Sequence, residues 1–169
     1  MTTSKLPQPP CVDAVDDDRA TAGPDHQDPA IQPVRSDEVL RAVASRFWRH
    51  PAARDRRIEL ASDHEPAPLQ TDPLLLGQVL GHLLEDGLLA CPEGGTVTLG
   101  CGRCRGGVWF AIHTPVGELD VSLTETEDQD VRDYWPGVLC REHLGGRIEL
   151  AVDPTAGLVW TVTLPVGGP

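Results

Sequence analysis

The segment from Thr71 to Pro92 places the strongest constraint on what this chain can fold into. Thr71 and Asp72 are helix-capping residues, and Pro73 is tolerated in a first helical turn. Leucine and valine side chains then recur at spacings of three and four, at Leu75, Leu76, Val79, Leu80, Leu83, Leu84 and Leu88. Apolar residues at this period form one face of an α-helix. The segment therefore predicts a helix that buries a wide apolar face and ends before Pro92.

A second amphipathic helix is predicted from Ser36 to Pro51. Ser36 is a good N-cap, and acidic side chains follow it in the first turn. Apolar residues repeat at helical spacing at Val39, Leu40, Val43, Ala44, Phe47 and Trp48. The outer face and exit of this helix are basic, with only Asp55 opposing Arg41, Arg46, Arg49, Arg54, Arg56 and Arg57. This patch is either solvated surface or a docking site for an acidic partner or for acidic segments of this chain.

Five strands are predicted, at residues 57–61, 96–101, 108–113, 147–152 and 158–164, the first two from their alternation of apolar and polar residues. The second and third form a hairpin connected by residues 102–107. Residues 63–70, which include Pro66 and Pro68, are predicted to be a loop.

A third helix is predicted from about Pro136 to Leu144, because Gly145 and Gly146 supply a left-handed stop. The order is then helix, strand, helix, two strands, helix, two strands. It predicts an α+β fold, a two-layer α/β sandwich with helices on one face of a mixed sheet.

Two segments have a composition that does not favour a packed core. Residues 1–36 contain six prolines and the acidic run 16–18, and are predicted to be a disordered tail, either a solvated leader or a segment that folds on a partner. Residues 118–133 hold seven acids and one base, and are predicted to be a mobile loop. The folded domain is therefore predicted to span residues 37–169.

The overall charge narrows the classes of partner. Lysine and arginine number 14 against 26 aspartates and glutamates, a net charge of −12. Such a field repels phosphate backbones and anionic membranes, so the chain is predicted to bind neither. No apolar run is long enough to span a bilayer, and the beginning lacks a signal-peptide core, which predicts a cytoplasmic protein. Five cysteines without a secretion signal predict reduced thiols.

Three short motifs stand in order along the chain. Residues 71–87 read TDPLLLGQVLGHLLEDG, residues 92–99 read PEGGTVTL, and the last motif joins LGGRIEL at 144–150 to VWTVTLP at 159–165. Together they resemble the ATP-binding catalytic domain of sensor histidine kinases, whose Bergerat (GHKL) fold is shared with gyrase. The resemblance covers residues 37–166. It implies a nucleotide pocket beside the helix of the first motif.

The resemblance also assigns the metal position of that pocket. In active members, an asparagine of this helix completes the shell of the Mg²⁺ that bridges the nucleotide phosphates. The matching residue here is Asp86, with His82 one turn earlier on the same face. An aspartate is a hard oxygen ligand that Mg²⁺ accepts, so Asp86 would hold the metal if ATP binds. Its negative charge lowers affinity for a triphosphate unless the metal screens it.

The adenine and phosphate elements depart from the family pattern. Thr114 stands where the family has the adenine-binding aspartate, and Val116 and Glu118 replace two glycines. The phosphate-binding turn corresponds to residues 130–139, where Gly137 is the one glycine. The residues left for a nucleotide are His82, Asp86, Thr114, Gly117 and Gly137. Three such departures imply a pocket that no longer closes on ATP, and hence no resident cofactor.

Two functions follow from the resemblance. The first is a degenerate, non-catalytic module that works by contacts with a sensor kinase or a response regulator in two-component signalling. The alternative is a stand-alone Mg-ATP-binding kinase domain that phosphorylates a histidine in trans. It must act in trans because the upstream histidines, His26 and His50, do not lie on a helix that could dimerise. No catalytic residue is assigned.

Two further clusters could carry chemistry. Cys101 and Cys104 form a Cys-x-x-Cys predicted in the hairpin turn, where they are surface thiols, half of a zinc site or a reactive pair aided by arginine. His64 with Glu65, and His82 with its neighbouring carboxylates, could do acid–base work. No nucleophile lies in register with either, so relic pocket residues are the simpler interpretation.

Overall fold

The structure is a computed structural model that describes residues 30–61, 66–116, 134–153 and 157–167. In chain order its elements are β1 (Gln32–Arg35), α1 (Ser36–Phe47), a 3₁₀ turn (Pro51–Ala53), β2 (Arg57–Leu60), β3 (Pro68–Thr71), α2 (Pro73–Ala90), β4 (Thr96–Cys104), β5 (Gly107–Thr114), α3 (Trp135–Leu144), β6 (Arg147–Asp153) and β7 (Gly157–Pro165). None of the described helices is both long and apolar enough to cross a bilayer.

The main sheet has five strands in the order β2-β4-β5-β7-β6. Strand β2 runs parallel to β4, and every other neighbouring pair is antiparallel. Helices α1, α2 and α3 pack against this sheet and close the core. The predicted fold class, an α+β arrangement with a mixed sheet, is confirmed.

Helix α2 lies at the centre of the core, as its leucine pattern predicts. The most deeply buried side chains of its apolar face are fully inaccessible to water: Leu76, Val79, Leu80, Leu83, Leu84 and Leu88. Burial of one such side chain contributes about 1.5–3 kcal/mol, so this face dominates the hydrophobic stabilisation. Asp72 caps the helix, because its Oδ1 accepts hydrogen bonds from the amides of Leu74 and Leu75.

A two-stranded sheet of β1 and β3 corrects the sequence analysis in two places. Residues 32–35 belong to the predicted tail and residues 68–70 to the predicted loop, yet they pair antiparallel. Pro33 and Pro68 led to the wrong assignment, because proline usually indicates a loop, but an edge strand tolerates it. Residues 1–29 and 62–65 lie outside the described residues.

The start of α1 also differs from the prediction. Arg35 occupies the N-cap position, and Ser36 is the first helical residue. The Ser36 side chain is fully buried, and its Oγ accepts a hydrogen bond from the Ala67 amide at 2.9 Å. Ser36 therefore ties α1 to the segment before β3 rather than capping its own helix.

The hairpin of β4 and β5 is tighter than predicted. Strand β4 continues through Gly102 to Cys104, and the connection is only Arg105 and Gly106. Gly106 has a φ of 82°, the left-handed conformation that a two-residue turn requires. Gly102 serves a different purpose, because a Cβ there would lie 2.9 Å from the Trp109 ring. The acidic segment 118–133 lies outside the described residues.

Candidate functional site

Two polar residues of α2 face the start of α3. His82 and Asp86 are four residues apart, so they lie on the same side of the helix, one turn from each other. The Tyr134 hydroxyl donates a hydrogen bond to Oδ2 of Asp86. The carboxylate that the family resemblance assigns to Mg²⁺ is therefore in contact with a phenol of the same chain.

The His82 ring contacts Trp135, the residue that follows Tyr134. Trp135 Nε1 donates to His82 Nε2 at 3.1 Å, and the two rings lie 4.7 Å apart between centroids. The indole N–H can only donate, so the imidazole nitrogen is the acceptor in this contact. We call Tyr134 and Trp135 the aromatic pair. The aromatic pair therefore donates one hydrogen bond to Asp86 and one to His82.

The sheet supports the aromatic pair from behind. The Tyr134 ring stacks on Trp160 of β7, with centroids 5.9 Å apart and an angle of 23° between the planes. Burial raises the pKa of the Tyr134 hydroxyl, and Asp86, as acceptor and as a negative charge, raises it further. The hydroxyl is therefore a hydrogen-bond donor throughout the neutral range.

Thr114, the predicted adenine-binding residue, is sealed inside the protein. It is the last residue of β5 and has no accessible surface. Its Oγ1 has no hydrogen-bond partner among the described residues. A Cβ on Gly87 of α2 would lie only 2.6 Å from this oxygen, which shows how closely α2 and β5 approach.

Gly137, one of the two predicted glycine contacts, does not present an open phosphate-binding amide. Gly137 is buried in the first turn of α3, and its amide donates to the Tyr134 carbonyl oxygen at 2.8 Å. Gly117 lies outside the part of the chain that the structure describes.

The Cys-x-x-Cys pair does not lie in the hairpin turn, which corrects that prediction. Cys101 and Cys104 are both in β4, opposite Phe110 and Gly107. Side chains three apart in a strand point to opposite faces, so the two thiols cannot chelate one ion. Cys101 is moreover buried and is not a surface thiol. Across the described ranges, no group of three or more His, Cys, Asp or Glu residues could hold a metal.

His50 lies beyond α1, which ends at Phe47 and not at Pro51 as predicted. His50 Nδ1 accepts from the Ala52 amide at the start of the 3₁₀ turn, and its Nε2 lies 3.7 Å from Glu85 Oε1. His26, His64 and Glu65 lie outside the described residues.

His82, Asp86 and Thr114 were proposed from the sequence as site residues, whereas Tyr134, which contacts Asp86, was not. The signal was present, since Tyr134 is the one tyrosine of the chain and the resemblance set residues 130–139 opposite Asp86. The contacts predicted for this segment are backbone amides, whereas the observed contact is made by the Tyr134 side chain.

By sequence, the chain matches no protein-family model and no curated protein. By structure, it resembles the catalytic domain of histidine kinase ThkA, with a TM-score of 0.63 and 18% identity over 82% of this chain and 99% of that one. ThkA in complex with response regulator protein TrrA gives 0.65 and 16%, over 80% of this chain and 42% of that one. Full-length ShkA in complex with AMPPNP gives 0.65 and 17%, over 83% and 32%. At such identities, the likeness is one of fold.

Proposed function

Since the chain has the fold of a histidine-kinase catalytic domain, we propose that it is a non-catalytic member of that fold. It acts through protein contacts in two-component signalling. The single observation that carries this proposal is the hydrogen bond from Tyr134 to Asp86, because it engages one oxygen of the carboxylate on which nucleotide chemistry would depend.

The described residues do not fit Mg-ATP. The Asp86 carboxylate and the His82 ring each accept a hydrogen bond from an aromatic side chain of the same chain. Thr114 has no accessible surface, and the Gly137 amide is hydrogen-bonded to the Tyr134 carbonyl oxygen at the start of α3. Binding would require the aromatic pair to leave α2, which costs two hydrogen bonds and the stacking on Trp160.

The proposed partner is a sensor kinase or a response regulator. The structural likeness to a histidine kinase solved together with a response regulator supports this class of partner. A domain that keeps the fold and loses the nucleotide still offers the surfaces by which such domains meet their partners. Its output would be the presence or absence of a complex rather than a phosphorylated product.

Calorimetry with Mg-AMPPNP tests the loss of nucleotide binding, with ShkA as the positive control because it is solved with this ligand. We expect no heat of binding for this chain and no rise in Tm at millimolar ligand. A ligand at 100 times its Kd stabilises a folded protein by about 2.7 kcal/mol, so a real site would be seen.

Binding that disappears in Asp86→Ala would contradict the proposal and favour the alternative, a stand-alone domain that phosphorylates a histidine in trans. The partner is tested separately, by measuring affinity for purified dimerisation helices and receiver domains from the same organism. We expect binding to one of these two classes, at the same Kd with and without Mg-ATP. Absence of binding to either class would reject the partner proposal even if nucleotide binding were also absent.

A further inference from the structure

A basic surface stands out on this acidic chain. We define the basic turn as residues 46–57, which run from the end of α1 through the 3₁₀ turn to the start of β2. It holds five arginines and one aspartate, in a protein of net charge −12. Arg56 has a structural role, since its Nε donates to the Cys91 carbonyl oxygen at 2.7 Å. Among the described residues, the Arg54 guanidinium has one ion-pair partner, the neighbouring Asp55, at 3.9 Å.

The other charges of the basic turn are available to a partner. Arg46, Arg49 and Arg57 are exposed, and none of them has an ion-pair partner within the residues that the structure describes. Between them lies Trp48, whose side chain is 85% exposed, the largest value among the exposed large apolar residues. Exposed tryptophan flanked by arginine is the residue combination that dominates binding hot spots.

An acidic segment of the same chain has the complementary pattern. Residues 12–18 read VDAVDDD, with four aspartates and two valines. We propose that residues 12–18 dock on the basic turn, with Val12 and Val15 against Trp48 and the aspartates beside the arginines. The surface thus has an intramolecular occupant, which an acidic partner protein would have to displace. This inference does not depend on the state of the nucleotide pocket.

The point at which the described chain begins makes the contact geometrically feasible. The Ala30 amide donates to Asp72 Oδ2 at 2.8 Å, so the segment joins the domain at the start of α2. The basic turn contacts α2 further along that helix. The Phe47 ring lies 3.6 Å from the position that a Cβ of Gly81 would take, and His50 lies beside Glu85. At 1.5 Å per residue, these positions are about 14–20 Å along α2 from Asp72.

The connecting chain has a matching length. Eleven residues, 19–29, separate Asp18 from Ala30. Eleven residues treated as a random coil have a root-mean-square span of about 5–6 Å times the square root of their number, or about 17–20 Å. Effective concentration is highest, at around millimolar, when span and linker length agree. Weak surface ion pairs can therefore hold the segment, although salt should release it.

Nuclear magnetic resonance of the full chain tests the docking. We compare wild type with the triple variant Asp16→Asn, Asp17→Asn and Asp18→Asn, and follow the Trp48 indole NH and the amides of the basic turn. We expect these resonances to differ between the two proteins. In wild type, they should move toward the variant positions when ionic strength rises from about 0.01 M to about 1 M, which shortens the screening length about tenfold.

A matched control removes the same number of charges elsewhere, by Asp120→Asn, Glu125→Gln and Glu127→Gln. If this variant moves the Trp48 resonance and the tail variant does not, the occupant is the internal acidic segment and the proposal is wrong. If neither does, the basic turn is free surface in the isolated chain, which also overturns it. Shifts that grow with protein concentration would assign the occupant to a second copy instead.

Proximity is measured directly with a nitroxide on Cys11, in a chain carrying Cys104→Ser so that the label has one accessible thiol among Cys11 and the described cysteines. We expect broadening of the Trp48 indole resonance, lost in the tail variant. An unbroadened Trp48 in the labelled chain would refute the contact.

Discussion

At the scale of single residues, the Tyr134 hydroxyl determines the environment of the Asp86 carboxylate. Tyr134 is half-buried, stacked on Trp160 and directed at Oδ2 of Asp86. A hydrogen bond to a charged acceptor contributes about 1.5–3 kcal/mol, and partial exposure places this one at or below the lower end.

A double-mutant cycle of Tyr134→Phe and Asp86→Ala measures that interaction. We expect Tyr134→Phe to lower the free energy of unfolding by about 1 kcal/mol, with a coupling energy of about 1 kcal/mol between the two sites. Urea titrations of the four proteins provide the values. Additive effects of the two substitutions would show that the hydrogen bond contributes nothing to stability.

The sequence could place Asp86 and His82 on one face, because helical spacing follows from the chain alone. It could not show that the Asp86 partner is a phenol 48 positions away, since that contact depends on how α3 packs on α2. The prediction that Cys101 and Cys104 lie in the hairpin turn was wrong for a related reason. In a turn, the two thiols could face each other, but in a strand they point to opposite faces. Gly102 lies in the strand, with the Trp109 ring packed over it.

At the scale of elements, the close approach of α2 and β5 depends on the absence of a side chain at Gly87. A Cβ there would lie 2.6 Å from Thr114 Oγ1 and 3.5 Å from Ile112 Cγ2. At Gly77 of the same helix, the nearest atom, Nη1 of Arg46, is 3.9 Å from the Cβ position. The two glycines therefore offer a matched comparison.

We expect Gly87→Ala to lower the free energy of unfolding by about 1–3 kcal/mol, because the methyl group overpacks the interface. Gly77→Ala should instead raise it by about 0.5–1 kcal/mol, since alanine favours the helix. Thermal and urea unfolding give both values. Adding Thr114→Ala should recover part of the Gly87→Ala loss, and no recovery would refute the steric explanation.

Elements with strong periodicity were predicted well, and those without it were not. The leucine stripe of α2 and the alternation within β4 and β7 reflect burial, which a single sequence records. Strands β1 and β3 have only four residues each, and each contains a proline. Their pairing is a long-range property with no periodic trace, so the sequence analysis assigned those residues to tail and loop.

At the scale of the whole molecule, three buried cysteine thiols stay protonated at alkaline pH values at which the unfolded chain would lose these protons. Burial raises the pKa of the Cys91 and Cys101 thiols from 9.0, and that of Cys140 to about 12. The folded protein keeps these thiols protonated where the unfolded chain ionises. Stability from such groups is complete below the unfolded pKa and is lost as pH rises through the interval up to the folded value.

We therefore expect the free energy of unfolding to be constant near neutrality and to fall above about pH 9. Each thiol contributes a slope of at most about 1.4 kcal/mol per pH unit. Urea titrations between pH 7.5 and 10.5, with a reductant present, give the slope. Cys140→Ala should reduce it by up to about a third, and an unchanged stability up to pH 10.5 would contradict the assignment.

Asp72 shares its two oxygens between separate parts of the chain. Oδ1 holds the first amides of α2, and Oδ2 holds the Ala30 amide ahead of β1. A pulling force on the chain before Ala30 would act on the Asp72 carboxylate through this hydrogen bond. It would therefore also act on the first turn of α2, the helix that carries His82 and Asp86.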